Sequence, residues 1–245
     1  MKRISTIIAS LTMLTFFSCN SGGDEQKKDD TTKDSTSTTT TAPVAVVKPA
    51  FTPFKVMTIA HNVKDYPKWL TAYKAHDSAR MTYGISQFAI GRGEPDSNKV
   101  IVFDKITDLQ KAKDFRQSPS VKETMQKAGV LGMTTTSYAE VIRFADSVPQ
   151  IDDRVMVKHH VKNFDAWLKV FDGEGTDKRA SYGLVDRSLA RDLDDSNMVY
   201  IVFVVTDMAK AKARASSPEL KKTMQDAGVD GPPTITYYKV VDRTR

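Results

Sequence analysis

The stretch HNVKDYPKWLTAY at residues 61–73 returns as HHVKNFDAWLKVF at residues 159–171, and each copy opens a block of about a hundred residues that repeats as a whole. His61 answers to His159, Val63 to Val161, Lys64 to Lys162, Trp69 to Trp167 and Tyr73 to Phe171. The register then slips by one residue, because GEGTDKR (173–179) is one longer than AHDSAR (75–80). From Arg80 and Arg179 onward it holds. SPSVKETMQKAGVLG (118–132) faces SPELKKTMQDAGVDG (217–231), a duplication too long for chance. It places one repeat at 51–146 and the other at 147–245.

Within each repeat a short apolar run, KVMTIAH (55–61) or RVMVKHH (154–160), reads as a strand. Asp65 and Asn163 stand at the N-cap of a helix that follows, with Trp69, Leu70 and Tyr73, or Trp167, Leu168 and Phe171, spaced to share a buried face. Gly84 and Gly183 are expected to close that helix. ISQFAIGR and LVDRSLAR form second strands, and the turn-rich GEPDSN and DLDDSN lead to third strands in KVIVFD and MVYIVFVV. Thr107-Asp108-Leu109-Gln110 has the capping-box pattern, repeated by Thr206-Asp207. Ser118-Pro119 and Ser217-Pro218 then put a capping hydroxyl ahead of a proline at the first helical position. Val121, Met125 and Ala128, matched by Leu220, Met224 and Ala227, line one face of this amphipathic helix until Gly129 or Gly228. TTTSYAEVI and TITYYKVV complete the order βαββαβ. The class is α+β, and the unit is a ferredoxin-like plait with its helices on one face of an antiparallel sheet. The other face is bare. Two tandem plaits in one chain are therefore expected to pack sheet to sheet, as a monomer with an internal pseudo-dimer and an enclosed space between the sheets.

The segments H-x-V-x-D/N-Y/F-x-x-W, G-I/L-x(6)-R, T-D ahead of the second helix, and S-P-x(5)-M-x-x-A-G-V-x-G cover nearly all of both repeats. Together they resemble the dimeric α/β-barrel superfamily, which includes the antibiotic biosynthesis monooxygenase-like families. Members usually pair two chains; here the pair is fused. The resemblance implies a pocket for a small aromatic substrate and oxygenation without a bound cofactor. Haem-degrading relatives use an Asn/Trp/His set, and Asn62, Trp69 and His61 supply those residue types in a different arrangement along the chain.

Ahead of the repeats, Lys2 and Arg3 precede an apolar run from Ile4 to Phe17, then Ser18 and the single cysteine, Cys19. A basic region followed by an apolar run too short to span a bilayer is an export signal at 1–18. Cys19 after a small residue resembles the lipobox of bacterial lipoproteins, with Phe16 where an aliphatic residue is usual and Leu14 further off. This implies acylation of Cys19 and attachment to a membrane of the cell envelope, in the outer membrane or at the cell surface. An ordinary signal peptide cut nearby, leaving a free thiol, is the other reading. Residues 19–50 are polar, charged in both signs and rich in Ser and Thr, which describes a tether without a core. Asp24 and Glu25 resemble acidic surface-export tags. The formal net charge of +6 is dispersed, with no Lys/Arg cluster interleaved with aromatics, so nucleic acid is not expected as a partner. No Cys/His cluster has metal-site spacing, no cofactor motif is present, and G-x-S-x-G and phosphate-loop patterns are absent.

Candidate residues for chemistry are His61 and His159, at equivalent ends of the first strands. Strand alternation puts His61 on a face with Met57 and Ile59, and His159 with Val155 and Val157. Each can act as a general base or axial ligand, or can donate a ring N–H to a backbone carbonyl. His160 points to the opposite face, either toward the inter-repeat space or as an ordinary solvated histidine. Trp69 and Trp167 serve packing or ligand stacking. Arg92 and Arg191 clamp an anion or tie down the hairpin beside Asp96 or Asp195. Arg80 and Arg179 answer to the helix dipole. Tyr138, Tyr237, Tyr238 and Tyr200 are candidate groups of the enclosed space. Two functional readings follow. One is an envelope lipoprotein whose fused barrel binds a small ligand or a partner protein. The other is a cofactor-independent monooxygenase-like enzyme acting on a small aromatic substrate between the sheets.

Overall fold

The structure is a computed structural model, and it describes residues 51–244; the expected signal segment (1–18), Cys19 and the tether (19–50) lie outside the described residues. The first repeat runs β1 (Phe54–Val63), α1 (Tyr66–Ala75), α2 (Asp77–Thr82), β2 (Ile85–Gly93), β3 (Lys99–Ile106), α3 (Leu109–Gln117), α4 (Pro119–Lys127) and β4 (Val130–Phe144). The second runs β5 (Asp153–Val161), α5 (Phe164–Glu174), α6 (Thr176–Ser181), β6 (Leu184–Asp192), β7 (Met198–Val205), α7 (Met208–Ala215), α8 (Pro218–Asp226) and β8 (Val229–Arg243). None of these helices is long and apolar enough to cross a membrane.

Local chemistry explains the helix boundaries. Asp65 and Asn163 cap α1 and α5, each side chain accepting from the backbone N–H three residues on at 2.9 Å. Ser118 and Ser217 cap α4 and α8 ahead of their prolines. Two expectations need correction. The helix meant to reach Gly84 is two helices, broken at His76, and its twin breaks at Gly175, whose φ of 80° leaves the helical region. Helical spacing continues across both breaks, so the pattern conceals them. The cap before α3 is Asp108, whose carboxylate accepts from Lys111 N at 2.9 Å, while the Thr107 hydroxyl turns away to Gly84 O.

All eight strands form one closed antiparallel barrel in the order β1-β3-β2-β8-β5-β7-β6-β4. Each repeat supplies a plait sheet, β4-β1-β3-β2 or β8-β5-β7-β6, and the halves join where β2 pairs with β8 and β4 with β6. No strand edge remains open, so each half removes the other's aggregation liability. Helices cover the outer face, burying Met57, Ile59, Ile90, Val102 and Trp69 in one half and Val155, Leu189, Ile201, Phe203 and Trp167 in the other. The inner face carries its own core of Val56, Ala139, Val141, Ala190 and Tyr200. At the β2–β8 seam, a Cβ on Gly91 would come within 2.4 Å of the Tyr238 ring, so this glycine makes room for a buried tyrosine of the other half. The equivalent pair across the β4–β6 seam is Ala190 with Ala139.

Candidate active site

His61 and His159 lie on the outer face of the barrel, under the helices, rather than in the space between the sheets where a site was expected. Alternation explains this, since they share a strand face with Met57, Ile59, Val155 and Val157, all of which pack toward the helices. Each half therefore holds its own pocket between sheet and helices.

In the first half, β1 brings His61, β3 brings Asp104, α1 brings Trp69 and Tyr73, α2 brings Arg80, and α3 brings Arg116 to one cavity of about 70 Å³. The His61 ring lies 5.5 Å from Trp69, which stacks on Tyr73 at 5.2 Å. The Tyr73 hydroxyl donates to Asp104 Oδ1 at 2.7 Å, and Arg80 sits 3.7 Å above the Tyr73 ring while donating to Tyr73 O at 2.6 Å. At the edge, Thr124 and His76 share a hydrogen bond of 2.9 Å. Both His61 nitrogens, Asp104 Oδ2, Arg80 Nε and Arg116 Nε are buried without a hydrogen-bond partner. Such groups are costly to bury unpaired. Burial, with the charge of Arg116, lowers the His61 pKa to about 4, so the ring is neutral near pH 7. Burial raises the Asp104 pKa to about 6, against the hydrogen bond from Tyr73 and the charges of Arg80 and Arg116. That carboxylate is poised close to neutral pH, where a general base works best.

The second half keeps the frame and carries a different set of charged groups, Glu174, Arg179 and Arg214. Its cavity of about 120 Å³ is lined by His159, Trp167, Phe171, Phe203 and Ala215 where the first half has His61, Trp69, Tyr73, Asp104 and Arg116. Arg179 is engaged by Asp186 at 2.6 and 2.8 Å and by Phe171 O at 2.7 Å, and Arg214 by Glu174 at 2.7 Å. His159 stands 5.5 Å from Trp167 with both nitrogens unpartnered, and burial lowers its pKa to about 4. Neither histidine makes the backbone-carbonyl hydrogen bond open to it from sequence; each instead packs on a tryptophan ring.

The other candidates fall elsewhere. His160 is partly exposed between Asp195 and Asp230, at 3.6 and 3.8 Å, and lines neither pocket. Arg92 and Arg191 tie down their hairpins, donating to Ser97 O at 2.6 Å and Ser196 O at 2.9 Å while stacking over Tyr66 and Phe164. Tyr138 and Tyr237 pack on the helix side, not in the enclosed space, whereas Tyr200 and Tyr238 do face inward. Trp69 and Trp167 both pack and line pockets. Arg80 and Arg179 are buried anchors rather than dipole partners at a surface. Sequence reasoning missed Asp104 and Arg116. The signal was there for the first: a lone acid in an apolar strand, on the face of Val100 and Val102, with Phe203 at its repeat position. Among the described residues no group of three or more His, Cys, Asp or Glu is placed to hold a metal ion.

No family model matches the sequence, and a search of curated proteins finds no match. Solved structures do match. A monooxygenase candidate from Fusobacterium nucleatum is 12% identical, with a TM-score of 0.50 over 78% of this chain and 93% of its own. An anthrone oxidase-like protein is 13% identical, with a TM-score of 0.51 over 78% of this chain and 92% of its own. A ferredoxin-fold protein related to antibiotic biosynthesis monooxygenases, from Listeria monocytogenes, is 11% identical, with a TM-score of 0.45 over 78% and 97%. With its βαββαβ repeats and closed eight-stranded sheet, the chain has the ferredoxin-like dimeric α/β-barrel fold, the fold it shares with the Fusobacterium nucleatum and anthrone oxidase-like structures, and both halves are carried by one polypeptide.

Proposed function

We propose that the first-half pocket is an acid–base site that takes a proton from a small enolisable or phenolic molecule. The carrying observation is the convergence of unpartnered polar atoms from His61, Asp104, Arg80 and Arg116 on one cavity. Asp104 Oδ2 is the base. Tyr73 holds the other carboxylate oxygen and so fixes its direction. Neutral His61 donates a hydrogen bond to the developing oxyanion, and the guanidinium of Arg116 offsets its charge. At about 10–15 Å³ for each water-sized atom, the cavity admits a molecule of about five to seven heavy atoms, at most a single ring. The electron-rich anion left by proton removal is the species that dioxygen oxidises without a cofactor. This supports the monooxygenase-like reading, in keeping with the names carried by proteins of the same fold.

The test is proton exchange of acetylacetone, followed by NMR in deuterated buffer. The protein should accelerate exchange, with a rate that rises with pH and is half-maximal near pH 6. Asp104→Asn should lose about 10²- to 10⁴-fold. No acceleration over buffer, or full activity in Asp104→Asn, would refute the site. We further propose that Cys19 carries the acyl anchor, on the strength of the apolar run and Ser18 ahead of it. Labelled palmitate should enter the full chain and not its Cys19→Ser variant.

A further inference from the structure

We propose that one end of the barrel interior is a binding site for a small aromatic carboxylate, separate from both pockets under the helices. A cavity of about 120 Å³ opens there among Arg154 and Arg187 from the second half, Phe88 and Phe103 from the first, Phe144 and Tyr238. Arg154 is 4% exposed, yet no carboxylate of the described residues is in ion-pair contact with it; its guanidinium donates to the carbonyls of Ile151 and Asp153. Arg187 donates to Ala145 O and lies 3.9 Å over the Phe144 ring. Asp146 offsets part of its charge, and Arg243 at the mouth is occupied by Asp152. Two interior cations nevertheless share one cavity: burial lowers the pKa of both, and that of Arg187 is lowered further by the charge of Arg154.

Tyr238 is 3% exposed and lines the same cavity. Two guanidinium groups held inside the barrel with no ion-paired carboxylate among the described residues cost free energy that an anion would recover, because guanidinium forks match a carboxylate bidentately. The rest of the cavity is aromatic. Phe88 and Phe144 pack against each other at 5.6 Å with their planes tilted by 54°, and Phe103 lies 5.6 Å from Tyr238, so the cavity has aromatic sides and a cationic end. At about 10–15 Å³ per atom the space admits about eight to twelve heavy atoms, the size of benzoate. The first half cannot build the same site, since Val56, Phe88 and Ala139 stand where the second has Arg154, Arg187 and Tyr238.

Calorimetric titration of the purified protein tests this with benzoate, its neutral isostere benzamide, and inorganic phosphate. Benzoate should bind, with benzamide and phosphate each weaker by about tenfold or more. Arg187→Gln should weaken benzoate to the same degree, and Tyr238→Phe, which keeps the ring and its packing, should weaken it severalfold. Arg116→Gln, in the first-half pocket, should leave it unchanged. Absence of benzoate binding, equal binding of benzamide, or phosphate binding as tight as benzoate would overturn the assignment. So would loss of binding in Arg116→Gln with retention in Arg187→Gln, which would move the ligand under the helices.

Discussion

Asp104 shows what one residue costs the fold and what it offers in return. Its carboxyl ionises at 3.8 when free and at about 6 when buried, so above pH 6 the folded state bears the cost of a charge it would rather neutralise. Asp104→Asn leaves Tyr73 a carbonyl oxygen to donate to and should raise stability at pH 7 by about 2–3 kcal/mol in urea unfolding. The histidines have the opposite sign. Each titrates near 6.5 unfolded and near 4 folded, so the unfolded chain binds more protons between those values and stability falls as pH drops through them. The loss is up to ~3 kcal/mol per histidine, partly offset by Asp104, whose folded form gains as pH falls from about 6 to 3.8. Acid unfolding should therefore be steeper in Asp104→Asn than in the wild type, and an unaltered pH dependence would count against the buried ionisations.

Among the elements, the β2–β8 seam depends on a size match. Gly91 has no strained φ, so the cost of a side chain there comes from space alone: its Cβ would meet the Tyr238 ring at 2.4 Å. Gly91→Ala should cost about 1–3 kcal/mol, and that cost should vanish in a Tyr238→Ala background, which recreates the Ala190–Ala139 arrangement of the other seam. Thermal melts of the four proteins close the cycle; additive losses would mean that the two residues do not share the space. Strands and the helix caps at Asp65, Asn163, Ser118 and Ser217 were legible in sequence because each is written in a few neighbouring residues. The face of His61 was legible by alternation. The same alternation applied to Asp104 would have placed it on the face of His61, but it was read only as the last residue of the strand KVIVFD. The helix breaks at His76 and Gly175 left the 3.6-residue spacing intact. Arg154 stood in the strand RVMVKHH, where alternation sets it opposite Val155 and Val157, but it was not singled out as a site residue.

For the molecule as a whole, the two halves complement each other and are not interchangeable. A second half paired with its own copy would set Tyr238 against Ala190, and a first half with its copy would leave Gly91 facing Ala139 across a void. Residues 51–146 and 147–245 made as separate chains should therefore form a mixed dimer in preference to either homodimer, as read by native mass spectrometry. Homodimers persisting in the mixture would show that the seams carry no preference. The interior cavity, whose walls come from both halves, should appear only in the mixed species.

The join between β4 and β5 also bears on how such a protein can change. Two subunits encoded by one gene carry every substitution twice, so a homodimer cannot give its pockets different chemistries. Once the copies share a chain, that obligation to symmetry lapses: Asp104 can stand opposite Phe203, Arg116 opposite Ala215 and Arg187 opposite Phe88. One inherited scaffold can then specialise each of its compartments separately.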